Sequence, residues 1–450
     1  MKNKNKKKIS KKGLIAIIIC SVFVVGILCS TNFIFNLTLR SFINTFEKVQ
    51  YENQLVPYKD ENGFYTFKTD RELKIMHLTD LHIGGGHASP IKDRKTIYEA
   101  ATMIQKEKPD LVILGGDNTF AVPAPIFNGG GTFNNKMPAL DVIELFEKLG
   151  VYWTTVFGNH DTEVFDFYSR QYLSNFYKTE KFKYCIYDQN FSDSDENKMG
   201  SMTNQCIQIR NNDNSLRKLI MLMDSNSYVD NSIKSVINWD YDIIHNKQVE
   251  WAKNTILNLS PDKNNPVKSL FFFHIPIGEY KEAYLDLENN GFIDTATTKW
   301  YSGFWNEEEV DGSRIWYGGI SNKEISPKDQ DELFETIGPD GINSLEGIFC
   351  GHDHMNNAVV NYRGVMLSYG NSMDNLAYKD ICLSGLQRGA TVIKIKQNGL
   401  WTEAHKNAYL DYGVSATKYY DVFLDRLYYP DYNLDKYFYH YIDSSEFGIK

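Results

Sequence analysis

Aspartate and histidine recur in this chain as small groups, each placed directly after an apolar run. Asp80 and His82 stand in TDLHIGG, Asp117 in LVILGGDN, and Asn159, His160 and Asp161 in TVFGNHD. His274 follows in SLFFFHIP, and His352 and His354 in GIFCGHDH. Imidazoles and a few carboxylates are donors that hold divalent transition metals. Two such cations, roughly 3.5–4 Å apart, generate hydroxide at neutral pH and stabilise both the attacking and the leaving oxygen of a phosphate ester. A pair of that kind needs one bridging carboxylate and several imidazoles, since an excess of carboxylates would neutralise the Lewis acid and repel phosphate.

What precedes each group sets its position. LKIMHLTD, LVILGG, VYWTTVF, KSLFFFH and the run before GHDH are rich in Ile, Leu, Val and Phe and read as buried strands. The donors then lie just past the C-terminal ends of strands, where open α/β sheets place their sites. Helical patterns over residues 97–105 and 139–149 alternate with the first three strands and predict a βαβαβ unit with right-handed crossovers. Pro123, Pro125 and the run 128–131 mark a loop that overhangs the site after Asp117. Farther on, TNQCIQIR and KLIMLMD flank the turn NNDNS as a hairpin, residues 248–257 form an amphipathic helix, and VMLSYG and ATVIKIKQNG are expected to close a second sheet.

Taken singly, His274 reads as a core or turn residue and Asp117 as a helix N-cap; the ordered set carries the signal. The order DxH, GD, GNH[DE], a lone His after a strand, and GHxH resembles the calcineurin-like metallophosphoesterase superfamily. HIPIGEY, GGDN and GHDHMN followed by RGVMLSYGN look like the branch related to purple acid phosphatases, and the likeness covers residues 70 to 396. The resemblance implies an α/β fold, a four-layer sandwich of two mixed β-sheets flanked by helices, with an N-terminal transmembrane helix added here. It implies two divalent metal ions (manganese, iron or zinc), one held by Asp80, His82 and His354, the other by Asn159, His274 and His352, with Asp117 bridging. His160 is left beside them to protonate the leaving alkoxide or hold the phosphate, a task that suits an imidazole. Asp161 is the nearest residue in sequence that could orient it.

Two departures limit the likeness. Purple acid phosphatases have a tyrosinate ligand three residues after the bridging aspartate, where this chain has Phe120; the tyrosinate-to-iron colour is therefore not expected. The arginine pairs that grip phosphate in the protein serine/threonine phosphatases are not recognisable either. Among the remaining histidines, His77 reads as structural, His87 as a loop histidine near the substrate or in solvent, and His245, His405 and His440 have no partner at ligand spacing.

The charge distribution separates the two ends of the chain. Residues 1 to 40 hold eight basic residues and no acid, which leaves 40 basic against 57 acidic residues in the remainder, a charge of −17. So anionic a body disfavours nucleic acid as a partner. From Leu14 to Cys29 the chain is almost wholly aliphatic, long enough with its continuation to cross a ~30 Å hydrocarbon core. Seven lysines before it keep that end in the cytoplasm and send the body outward, as a single-pass membrane protein. A cleaved signal peptide is the competing reading and would give a secreted protein.

The boundaries that follow are a basic segment 1–12, a transmembrane signal-anchor 13–37, a linker 38–71, a phosphoesterase domain 72–398 and a Tyr-rich extension 399–450. Cys185 and Cys206 could pair across a hairpin-like region in an exported body, Cys350 reads as a buried thiol, and Cys382 is unassigned. The stretch 282–327, with Trp300, Trp305 and Trp316, reads as a cap over the sheet or a wall of the pocket. The aromatic tail from Tyr409 to Tyr441 reads as packed on the body or as a surface-adhering strip. The functional expectation is a membrane-anchored, dinuclear metal-dependent phosphoesterase that hydrolyses phosphate monoesters of a small-molecule or polymer substrate by attack of a metal-bound hydroxide. A phosphodiesterase or nucleotide pyrophosphatase on the same site, or a non-catalytic surface-binding protein on this fold, are the alternatives.

Overall fold

β-Branched and aromatic runs bounded by Gly, Asn and Asp fit a pleated, buried surface, and most of the strands expected from them are present. The computed structural model describes residues 10–123, 129–179, 181–190, 201–230, 232–238, 240–303, 332–354, 356–377, 388–408, 411–413 and 441–443. A long helix α1 (Lys11–Ile43) comes first, then two short strands, β1 (Tyr58–Lys59) and β2 (Tyr65–Lys68). The βαβαβ unit follows as β3 (Leu73–Leu78), α2 (Pro90–Glu107), β4 (Leu111–Leu114), α3 (Lys136–Leu149) and β5 (Trp153–Thr155), its three strands parallel.

Helix α4 (Arg170–Tyr177) leads into an antiparallel pair, β6 (Gln205–Arg210) and β7 (Leu216–Leu222). Helices α5 (Ile233–Asn238) and α6 (Asn246–Leu259) precede β8 (Ser269–Phe272). Then come α7 (Gly278–Asn289), β9 (Thr298–Ser302), α8 (Leu333–Ile337), β10 (Leu345–Cys350), and the hairpin of β11 (Val359–Tyr362) and β12 (Val365–Tyr369). β13 (Gly389–Ile395), β14 (Trp401–Asn407) and β15 (Tyr441–Asp443) close the order.

Two mixed sheets result: nine strands in the order β1-β2-β6-β7-β8-β10-β12-β11-β9, and six in the order β15-β14-β13-β3-β4-β5. The pleat explains why their strands read as continuous apolar runs. In β8 and just beyond it, Leu270 and Phe272 join the core between the sheets, while Phe271 and Phe273 join a second core under α6, α7 and α8. Phe272 of the large sheet lies 5.5 Å from His77 of the small one, and Phe349 5.6 Å from Trp401, so the sheets pack face to face. Helices α2 and α3 cover the outer face of the small sheet through Ile97, Ile104, Val142 and Phe146. The protein is therefore a four-layer α/β sandwich.

Three expectations change. ATVIKI does not join VMLSY in the second sheet: β13 pairs antiparallel with β3 in the six-stranded sheet, while β12 lies in the other. Local alternation cannot choose between two sheets, because strands of both are buried on both faces. The helix at the N-terminus runs on to Ile43, and its last turns bury Asn36, Leu39 and Ile43 against the body. Residues 38–71 are accordingly more than a linker, since Val49 and Phe67 are core residues and β2 is a sheet member. Residues 282–303 of the expected cap instead supply the end of α7 and the strand β9, which extends the large sheet beside β11. Trp305, Trp316, Cys382, His440 and the aromatic tail over 414–440 lie outside the described residues. Cys185, Cys206 and Cys350 are free thiols, so the pairing considered for the first two is absent.

Candidate metal centre

β3, β4, β5, β8 and β10 deliver their following residues to one end of the sandwich. The turns there are unusual. Asp80, His82, Asp117 and His352 all take positive φ, at 55°, 46°, 50° and 71°. Non-glycine residues rarely do so, at a cost of about 1–3 kcal/mol each, and such strain persists where the surroundings dictate it. Backbone bonds do the dictating: Asp80 N donates to Gly116 O and His82 N to Asp117 O, both at 3.0 Å, so the first two loops are laced together. Gly158 is required by close approach. A Cβ there would stand 2.1 Å from Asp117 Oδ1.

The donors converge. One oxygen or ring nitrogen from each of Asp80, His82, Asp117 and His354 falls within 4.8 Å of the others, and so do those of Asp117, His274 and His352. Asp117 belongs to both groups, and its Oδ2 is 3.3 Å from His82 Nε2 and 3.1 Å from His274 Nε2. His354 Nε2 faces Asp80 Oδ1 at 3.0 Å. Asn159 Oδ1 is 2.9 Å from His352 Nδ1. His274 Nδ1 lies 2.9 Å from the Gly115 carbonyl, an arrangement that puts the proton on Nδ1 and turns Nε2 towards Asp117.

These groups are buried, so their protonation is set by contest between desolvation and neighbours. Burial would hold His82 neutral, yet the Asp374 carboxylate overrides it and raises the ring to about 9. Burial acts on His354 likewise and is overcome by Asp80 and Asp374. Burial also opposes ionisation of Asp117, but His274 and His160 hold its carboxyl well below the usual range. His352 goes the other way: burial, reinforced by His274, pushes it well below an ordinary histidine. Anionic carboxylates facing imidazoles across about 3 Å are a donor set that a divalent cation would fit by displacing protons.

His160 lies beside this set. Its backbone N–H donates to Asp117 Oδ1 at 2.7 Å, and its ring centroid is 5.5 Å from that of His82. Its Nδ1 is 2.6 Å from Glu163 Oε1, which makes Glu163 its partner. Asp161, expected from sequence to orient His160, faces elsewhere: its carboxylate accepts from the backbone N–H groups of Gly158 and Thr119. A short helical turn, His160–Thr162, explains the difference, because residues three apart share a side there while adjacent ones diverge. Phe120 is buried with its ring 4.9 Å from His82 and 4.7 Å from His160, an apolar wall where a tyrosine would offer oxygen.

A model of the calcineurin-like phosphoesterase family matches residues 73–356. The chain belongs to that family. It is similar to Probable inactive purple acid phosphatase 28 of Arabidopsis thaliana, 24% identical over 335 residues that make up 69% of this chain and 73% of that protein. Probable inactive purple acid phosphatase 29 of the same plant is 24% identical over 381 residues, 77% of this chain and 83% of its own length. A solved purple acid phosphatase from yellow lupin seeds aligns at a TM-score of 0.33 and 9% identity, over 79% of this chain and 57% of that one.

In this member of the family the fold also supplies residues that the sequence motifs do not mark. Asp374, twenty residues beyond His354, places Oδ1 3.3 Å from His82 Nδ1 and Oδ2 3.4 Å from His354 Nδ1. Glu163 is the second, and Tyr241 the third, its ring 4.5 Å from His352. The SMDN stretch after β12 offered only an isolated carboxylate as a signal. Arg170 donates to Gly158 O at 2.8 Å and pairs with Asp224, so it supports the GNHD loop from behind. The other histidines stand apart from the donors: His77 is buried between the sheets, His245 pairs with Asp242, and His405 with Glu403. His87 lies in a turn and is partly buried, with its Nδ1 3.2 Å from Asn32 Oδ1 of α1.

Proposed function

We propose that this chain is a membrane-anchored, dinuclear metal-dependent phosphoesterase that hydrolyses phosphate monoesters. The observation that carries the reading is the meeting of two donor groups on one carboxylate, Asp117. When bound, a pair of divalent cations lowers the pKa of water and offsets charge on the phosphoryl oxygens. Asp80, His82 and His354 would hold one cation, Asn159, His274 and His352 the other, with Asp117 between them. Asp374 fixes two of the imidazoles through their Nδ1 atoms, which turns each Nε2 inward.

His160 has the geometry of a general acid. With Nδ1 committed to Glu163, its Nε2 is the atom available to give a proton to the departing alkoxide. The Phe120 ring against it keeps water from that side. The exposed apolar stretch of α1 supports the anchor, since its residues from Leu14 to Leu28 are solvent-facing and their mean hydropathy is that of a membrane span.

The full chain in detergent, stripped of metal and reloaded with manganese, zinc or iron, is expected to cleave aryl phosphate monoesters in preference to diesters. Asp117→Asn should bind less metal and lose nearly all turnover. Full activity in that variant rules out the shared-carboxylate mechanism, a preference for diesters points to a phosphodiesterase, and near-absence of transition metal in the purified protein points to a non-catalytic scaffold.

A further inference from the structure

Helix α1 runs parallel to α2 and α3, and that direction decides which end of the body its apolar half leaves. Along α2, Asn36 of α1 lies over Gly85 just before the helix begins, Phe42 under Arg94, and Phe46 beside Tyr98. Along α3, Asn32 Nδ2 reaches Gly131 O before the helix and Arg40 pairs with Asp141 within it, at 2.8 Å. Both helices start where their preceding strands end, on the face that carries the metal donors. The residues of α1 before Asn32 therefore project past that same face. From Lys11 to Asn32 the helix rises about 32 Å, against a hydrocarbon core of about 30 Å.

The contact is close to the site. Asn36 Nδ2 donates to Gly85 O at 2.5 Å, and Gly85 is three residues after His82, a separation the backbone cannot stretch beyond about 11 Å. From His160 an aromatic series leads outward: Phe120 touches its ring, Phe165 packs against the cluster of Phe120, Val122 and Leu376, and Phe133 lies 6.3 Å from Phe165 and 6.0 Å from Phe167. At its outer end Phe133 and Phe167 are 42% and 69% exposed, beside the point where α1 departs. Ile91, at the start of α2, is exposed as well. Aromatic and aliphatic residues at such a place suit the boundary between headgroups and acyl chains.

We infer that the metal centre opens towards the bilayer and that its substrate is a lipid phosphate monoester presented in the membrane plane. The inference rests on the anchored-phosphoesterase reading and deepens it. Water supplies the oxygen of the new P–O bond, the bond from phosphorus to the lipid oxygen breaks, and His160 gives that oxygen its proton. Inorganic phosphate leaves to the aqueous side, and the neutral lipid alcohol stays in the bilayer.

The test uses the metal-loaded full chain reconstituted in phosphatidylcholine vesicles with a minor fraction of phosphatidic acid. Phosphate release is expected to follow the mole fraction of phosphatidic acid in the membrane and not its bulk concentration. Phe133→Asp combined with Phe167→Asp should cut that rate about tenfold, as partial loss of the membrane contact of two exposed rings implies, and leave p-nitrophenyl phosphate hydrolysis within about twofold. Independently of turnover, the indole introduced by Phe167→Trp should be quenched by a nitroxide carried at the lipid headgroup. Hydrolysis of the aryl ester with no attack on vesicle phosphatidic acid, or an unquenched indole, overturns this inference and leaves the phosphoesterase reading standing. Failure on both substrates by protein that binds metal overturns both, and release of the chain from membranes by alkaline carbonate removes the anchor and this inference together.

Discussion

Asp374 Oδ1 and His82 Nδ1 face each other at 3.3 Å, both fully buried, on segments nearly three hundred residues apart. The same carboxylate reaches His354, so one side chain sets the ring orientation of two imidazoles of the first candidate donor group. Asp374→Asn keeps the shape and removes the charge. Metal affinity should fall about 10–100-fold, the usual cost of losing such a supporting carboxylate. Competitive titration against a chelator measures it; an unchanged affinity would show that the rings are held by packing alone.

Glu163 acts through His160, to which it is bonded at 2.6 Å, and touches none of the metal donors directly among the hydrogen bonds of the described residues. Glu163→Gln is therefore expected to leave metal content intact while lowering kcat about 10–100-fold, part of the effect of general acid catalysis. Glu163→Asp, which keeps a carboxylate, should recover part of the lost kcat, whereas Glu163→Gln should not. Equal losses in the two variants would show that Glu163 is only a structural prop.

Asp166 is one buried carboxyl expected to tie stability to pH. Burial raises its carboxyl to about 9, and the like charge of Glu163 adds to that. Its Oδ2 accepts one backbone N–H from Glu163. A carboxyl whose folded value exceeds its unfolded one keeps its proton longer when folded, so stability is lost as pH rises from about 4 to about 9. Thermal melts of the protein should show Tm falling across that window. Asp166→Asn should flatten the slope; an identical slope in the variant would place the titrating group elsewhere.

Gly158 leaves no room for a side chain, with Asp117 Oδ1 and Asp117 N at 2.1 and 2.4 Å from where a Cβ would stand. Gly158→Ala must push Asp117 out of both donor groups or shift the loop that carries Asn159 and His160. Destabilisation of about 1–3 kcal/mol is expected from such overpacking, together with loss of bound metal by elemental analysis. Full metal content in a stable variant would mean that the loop moves freely.

The apolar runs, their order and the donors behind them were legible along the chain, because a buried strand and a metal-binding side chain each impose a local residue type. LKIMHL, LVIL and SLFF could hardly be anything but buried strands, and five motifs in sequence carried the family likeness. Glu163 and Asp374 were not legible. A lone acid has no local signature of the ring it faces, and Asp161 looked better placed only because it is nearer in sequence.

Residue types and spacing by themselves determined an α/β body with a βαβαβ unit, candidate metal donors at strand ends and an apolar helix ahead of them, while the two-sheet sandwich was implied by the family resemblance. Tertiary structure alone decided that ATVIKI pairs with β3, that Asp374 supports His82 and His354, and that α1 leaves the body on the side of the donors. These are relations between distant segments, fixed by which surfaces bury each other and which buried polar atoms must find partners. Local periodicity carries no record of them.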